Sequence, residues 1–93
     1  MDVFDVVISN KALKSLRKVP KPILDKFQLW VEAIEIDGIR EVRKLPGFHD
    51  EPLRGTRKRQ RSVRLNKAYR AIYEINKNKV EFIKVIEVTN HEY

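Results

Sequence analysis

The spacing of hydrophobic and polar positions along this chain changes period twice, from two to about three and a half and back to two. Residues 3–9 form a short β-branched and aromatic run, the pattern of a strand, and Ser9 or Asn10 stands where a side-chain oxygen caps a following helix. Ala12, Leu13 and Leu16 then recur at helical spacing, with Lys11, Lys14, Arg17 and Lys18 on the other faces, until Pro20 and Pro22 interrupt the pattern. From residue 21 the positions Ile23, Leu24, Phe27, Trp30, Val31 and Ile34 draw one broad apolar stripe, so a longer helix is expected to run to about Gly38 with Trp30 in the core. Ile39, Val42 and Leu45 support one more helical turn before Pro46 and Gly47, and residues 48–56 read as a loop carrying His49.

Beyond that loop the alternation returns. Residues 61–66, 69–76 and 79–88 read as three strands, joined by tight turns at Asn66-Lys67-Ala68 and Asn76-Lys77-Asn78, which makes an antiparallel meander. The sum is an α+β domain: an N-terminal strand and a helical hairpin packed on one face of a mainly antiparallel sheet, with the other face open. Period-two alternation puts Val63 and Leu65 on one side and Ser62 and Arg64 on the other, and Arg70 alternates against Tyr69 and Ala71. Arg64 and Arg70 are thus expected on the open face, and Arg61 on the opposite side of its strand from Arg64.

Length and composition narrow this further. At 93 residues and 42% hydrophobic content the chain suits one domain over residues 1–93, with no interdomain linker or repeat. The absence of cysteine removes disulfides, thiolate catalysis and cysteine zinc sites. No run of about eighteen apolar residues occurs, and two aspartates occupy the first five residues, where a signal peptide would carry positive charge. A cytoplasmic protein with no membrane segment is expected.

Charge changes the picture most. Residues 1–53 hold nine Lys/Arg against nine Asp/Glu, whereas residues 54–93 hold eleven against four, so the whole net charge of +7 lies on the second part. Residues 54–70 alone carry eight cations, and no acid occurs between Pro52 and Tyr73. A field so lopsided attracts a polyanion, and the apolar residues interleaved with the cations mount them on strands rather than on a merely solvated loop.

The chemistry open to such a surface is limited. Metal-dependent nucleases gather several carboxylates to hold Mg²⁺, and the basic stretch has none; Glu74 and Glu87 suggest no site. Phosphate-loop, GxSxG and paired-histidine metal patterns are missing as well, so no metal or other cofactor is expected. RNA permits a metal-free route, because its own 2′-OH attacks the adjacent phosphate once a base takes the proton, an acid protonates the departing oxygen and cations stabilise the crowded oxyanions. Arg64 and Arg70 suit the last task, since a guanidinium grips phosphate through paired donors but is a poor base. His91 is the natural proton carrier, with Tyr93 a weaker one and His49 a loop residue able to reach the same cleft. Lys84, in mid-strand, serves either packing or charge.

The stretch LRGTRKRQRSVRLNKAYRAIYEI, followed by IEVTNHEY, resembles the RelE/ParE superfamily of toxins, most of all its HigB-type ribonuclease branch, over nearly the whole chain. The motif is a basic loop, then Ser62, Arg64 and Asn66 in Ser-x-Arg-x-Asn, then Tyr69-Arg70, closed by a C-terminal histidine. The resemblance implies a RelE-like β-α-α-β-β-β fold and the toxin of a type II toxin–antitoxin pair, an mRNA interferase that cuts the messenger in the ribosomal A site without a metal. It matches Arg64 and Arg70 to the family's phosphate-binding arginines, Arg57-Lys58-Arg59 to its basic approach surface, and His91 to a histidine near the C-terminus; Tyr93 matches loosely. Arg54, Arg61 and Lys67 join the expected RNA- and ribosome-binding set. The His-Glu-Tyr ending departs from the better-understood relatives, which leaves the acid and base unassigned.

Two other functions fit the same residues: a ParE-like inhibitor of DNA gyrase, and a non-catalytic RNA- or ribosome-binding module. Under each of the toxin readings a cognate antitoxin is implied, an acidic or amphipathic segment that covers the basic part in a toxin–antitoxin hetero-oligomer.

Overall fold

The computed structural model describes residues 2–77 and 81–90. The chain opens with β1 (Val6–Ile8), continues into α1 (Asn10–Leu16), α2 (Lys21–Asp37) and α3 (Ile39–Arg43), and passes a 3-10 turn at Pro46–Phe48. It then forms β2 (Glu51–Pro52), a second 3-10 turn at Gly55–Arg57, β3 (Gln60–Arg64), β4 (Tyr69–Lys77) and β5 (Glu81–Asn90). One five-stranded sheet runs in the order β1-β5-β4-β3-β2. β1 lies parallel to β5 and every other pairing is antiparallel.

The helices begin and end for local reasons. Ser9 caps α1, its Oγ accepting the Ala12 N–H at 3.1 Å, which satisfies one of the amide donors that a first turn leaves unpaired. α2 starts after Pro20 with Pro22 inside its first turn, where the ring's fixed φ is already helical. It stops at Gly38, whose φ of 84° is positive and whose added Cβ would run into the Asp2 carboxyl. That carboxyl accepts the N–H groups of Val3 at 2.8 Å and Arg40 at 2.9 Å, tying the start of the chain to the turn into α3.

Ile23, Phe27, Trp30 and Ile34 from the α2 stripe are buried against Val63, Leu65, Ala71 and Tyr73 of the meander, with Ala12, Leu16, Ile39, Val42 and Phe48 closing the core. Trp30 lies at its centre, its ring 5.9 Å from Phe27 and 5.2 Å from Tyr73. The register between β4 and β5 slips after Ile72: Ile72 pairs with Glu87 but Tyr73 with Val85, a bulge that sharpens the sheet's twist.

The expected α+β order of strand, helices and meander is present. One correction concerns residues 48–56: within that span the chain makes β2, a two-residue edge strand pairing Glu51 with Ser62 and Pro52 with Arg61. Two residues are too few to show a period, and Pro52 is tolerated because an edge strand leaves its outward amide without a partner.

Candidate functional site

β3 and β4 put Arg64 directly opposite Arg70. Side chains so placed are cross-strand neighbours on one face, and two like charges there repel unless something anionic lies between or beside them. The anion is Glu51. Its Oε1 accepts from Arg70 Nη1 at 3.0 Å, and the same nitrogen donates to Ser62 Oγ at 3.0 Å. Arg70 is buried, whereas Arg64 is exposed and makes no hydrogen bond or ion pair among the described residues. His49 joins the group from the loop before β2, with a left-handed φ of 46° and its Nε2 3.6 Å from Glu51 Oε2.

The residue before Glu51 goes the other way. Asp50 reaches the helix side of the sheet, where Arg61 Nε donates to its Oδ1 at 2.5 Å and the Tyr73 hydroxyl donates to its Oδ2. Arg43 Nε adds a long contact of 3.5 Å to the same hydroxyl. Burial alone would lower the Arg61 pKa, but the hydrogen bond and charge of Asp50, with Tyr73 beside it, raise it above the ordinary value. Burial, followed by the charge and hydrogen bond of Asp50, pushes the Tyr73 hydroxyl well up, so it stays protonated and donates.

The expected site residues therefore divide. Arg64 and Arg70 meet on one face, and Lys67 is exposed in the turn beyond them, which Asn66 Oδ1 fastens by accepting from Ala68 and Tyr69 N–H, both at 2.7 Å. Arg54, Arg57, Lys58 and Arg59 are exposed at the other end of β3, where Arg57 Nε donates to Gln60 Oε1 at 2.7 Å. Arg61 faces away from Arg64, as alternation requires. His91 and Tyr93 lie outside the described residues, as do the side chains of Lys84 and Glu87. Sequence reasoning missed Glu51, because it sought carboxylates inside the basic stretch, and β2 brings one in from just upstream. The signal available was the Asp50-Glu51-Pro52 triplet after a Pro-Gly turn, an acidic edge beside a basic strand. No group of three or more His, Cys, Asp or Glu placed to hold a metal occurs among the described residues.

The sheet face opposite Val63 and Tyr73 thus sets Arg64 across from Arg70 beside Glu51, and it is not open throughout as expected, because Ser62, Arg70 and Ile72 are buried on it. The family description "ParE toxin of type II toxin-antitoxin system, parDE" matches residues 6–91, and the chain belongs to that family, within the RelE/ParE superfamily. Solved structures agree on the fold. YafQ from Escherichia coli strain BL21(DE3) is similar at a TM-score of 0.73 and 13% identity, covering 94% of this chain and 92% of its own. The archaeal RelE–RelB complex from Pyrococcus horikoshii OT3 holds a chain similar at a TM-score of 0.70 and 26% identity, over 95% and 94%. The YoeB/ParE toxin from Agrobacterium tumefaciens follows at 0.66 and 17%, over 95% and 99%. No curated protein matches the chain.

Proposed function

We propose that the protein is a ribosome-dependent endoribonuclease of the RelE/HigB type, cutting messenger RNA in the A site without a metal. The observation that carries this is the placement of Arg70 between Glu51 and Ser62, directly opposite the exposed Arg64. A scissile phosphate bound there would engage both guanidiniums and relieve their mutual repulsion. Glu51, with its side chain 45% exposed, is placed to take the proton from the 2′-OH. The resulting alkoxide attacks the adjacent phosphorus, the bond to the 5′-oxygen breaks, and that oxygen leaves with a proton from an acid, giving a 2′,3′-cyclic phosphate and a 5′-hydroxyl. His91 is the proposed acid, with Tyr93 as its alternate, because Asn90, the last described residue, pairs with Tyr69, one position from Arg70.

The reading places the toxin in the cytoplasm, where translating ribosomes are, as one domain over residues 1–93; no helix among the described residues is long and apolar enough to cross a membrane. Its partner is a cognate antitoxin, as in the RelE–RelB complex and the DinJ–YafQ complex of similar chains. The family description names ParE, which favours a second reading, inhibition of DNA gyrase by the same scaffold without cleavage. Primer-extension mapping of cellular messengers after brief induction separates the two. In-frame cuts near codon boundaries are expected, and they should vanish in a folded Arg70→Ala variant. Growth arrest with intact messengers and a DNA-damage response would overturn the nuclease.

A further inference from the structure

A cleft of about 560 Å³ opens at the end of the sheet away from the Arg64–Arg70 pair, lined by Arg43, Arg59, Arg61, Tyr73, Glu74, Ile75 and Asn76. Among the described residues, three guanidiniums and one carboxylate line it. One of the three is held in place from behind, Arg61 by Asp50, whose side chain is 1% exposed, while Arg43 makes only a long contact of 3.5 Å with the Tyr73 hydroxyl. Asp50 engages Arg61 through Nε, and the Arg61 side chain lines the cleft. Arg59 is exposed at the mouth. Guanidiniums match the paired oxygens of a phosphodiester, and for Arg61 the ordering cost has already been met by the fold.

We propose that this cleft is a second phosphate seat, which holds the RNA backbone one or more nucleotides away from the Arg64–Arg70 pair. Arg61 and Arg64 are three residues apart on β3, about 10 Å at strand rise, but on opposite faces of the sheet, so a polyanion that engages both runs along β3 and bends round the exposed basic turn at residues 54–59. An acidic peptide would supply isolated carboxylates, whereas RNA presents phosphates in series along this direction. The inference rests on the RNA-directed function proposed above, but it concerns binding alone and stands or falls without any cleavage assay.

The test is equilibrium binding by the full chain carrying Arg43→Gln and Arg59→Gln, with Arg61 left intact to keep the buried pair. A Lys14→Gln, Lys18→Gln variant removes the same charge from α1 and serves as the control. Emission from Trp30, the chain's one tryptophan, checks that each variant retains the native core. The probes are a single-stranded RNA oligonucleotide with 2′-deoxy substitutions that block cleavage, and vacant ribosomes. About tenfold weaker binding than the control is expected, with the log–log salt slope on the oligonucleotide shallower by about 0.7 for each phosphate that the variant no longer neutralises. Weakened binding to the oligonucleotide assigns the seat to the messenger, and weakened binding to ribosomes alone assigns it to ribosomal RNA. Equal weakening in control and variant, or weakened binding only to a polyglutamate competitor, would overturn the phosphate seat.

Discussion

Asp50 and Glu51 are neighbours in the chain and form ion pairs on opposite sides of one sheet, yet their exposure is inverted. Behind the sheet the carboxylate of Asp50 is 1% exposed and its partner Arg61 is 26% exposed. In front, Arg70 is 10% exposed and its partner Glu51 is 45% exposed. A pair shows the solvent whichever charge it leaves uncovered, so the rear pair offers a cation and the front pair a carboxylate beside a buried cation. The rear pair can also anchor β2, an edge strand too short to hold its register by backbone bonds alone, and thereby place Glu51 against Arg70. The comparison teaches that one ion-pair chemistry leaves either a cation or an anion to the solvent according to which partner is buried.

The sharpest way to break the comparison is to remove the charge of each acid in turn. Glu51→Gln is expected to lower messenger cleavage by about 10²–10⁴-fold, the usual contribution of a positioned base. Its folding stability should change by no more than about 1 kcal/mol, because a half-exposed ion pair contributes little. Cleavage mapping together with urea unfolding reads both numbers. Full activity in Glu51→Gln would move the base elsewhere, with His49, 3.6 Å from Glu51, the candidate among the described residues.

Asp50→Asn should show the opposite balance. It leaves Arg61 without its counter-charge behind the sheet, and breaking a buried pair by removing one partner costs about 3–5 kcal/mol. The lower end is expected, since Arg61 can turn outward through its own cleft. A fall in the urea midpoint without a change in slope would confirm the destabilisation, and cleavage should fall only as far as the loosened β2 misplaces Glu51. A neutral outcome would show that β2 is held by its backbone pairing and not by this pair.

These contrasts explain what was legible in the chain. The stripe from Ile23 to Ile34 marks α2 almost to its observed bounds of Lys21 and Asp37, because a buried helix face imposes its period over many turns. The alternation in residues 61–75 likewise exposes the meander, and with it the shared face of Arg64 and Arg70. β2 was not legible: two residues carry no period, and its pairing with β3 is a tertiary event. Glu51 meets Arg70 across 19 positions, an approach that no local pattern announces. Only the order of burial, known once the sheet is closed, decides that Asp50 clamps and Glu51 faces the solvent.

The mildest break in the comparison is Tyr73→Phe, which keeps the ring against Trp30 but removes the proton that Asp50 accepts. Removing a hydrogen bond to a charged acceptor should cost about 1.5–3 kcal/mol near neutrality. Its pH dependence carries the diagnostic sign. Because the folded hydroxyl titrates above its ordinary 10.0, the native state holds this proton where the unfolded chain has released it. The contribution is therefore complete below pH 10 and declines as the pH rises through the folded value. Stability-against-pH curves for the native chain and Tyr73→Phe should run parallel up to pH 10 and converge as the pH climbs from there through the folded value, whereas curves that stay parallel into strong alkali would show that the hydroxyl is not held by Asp50.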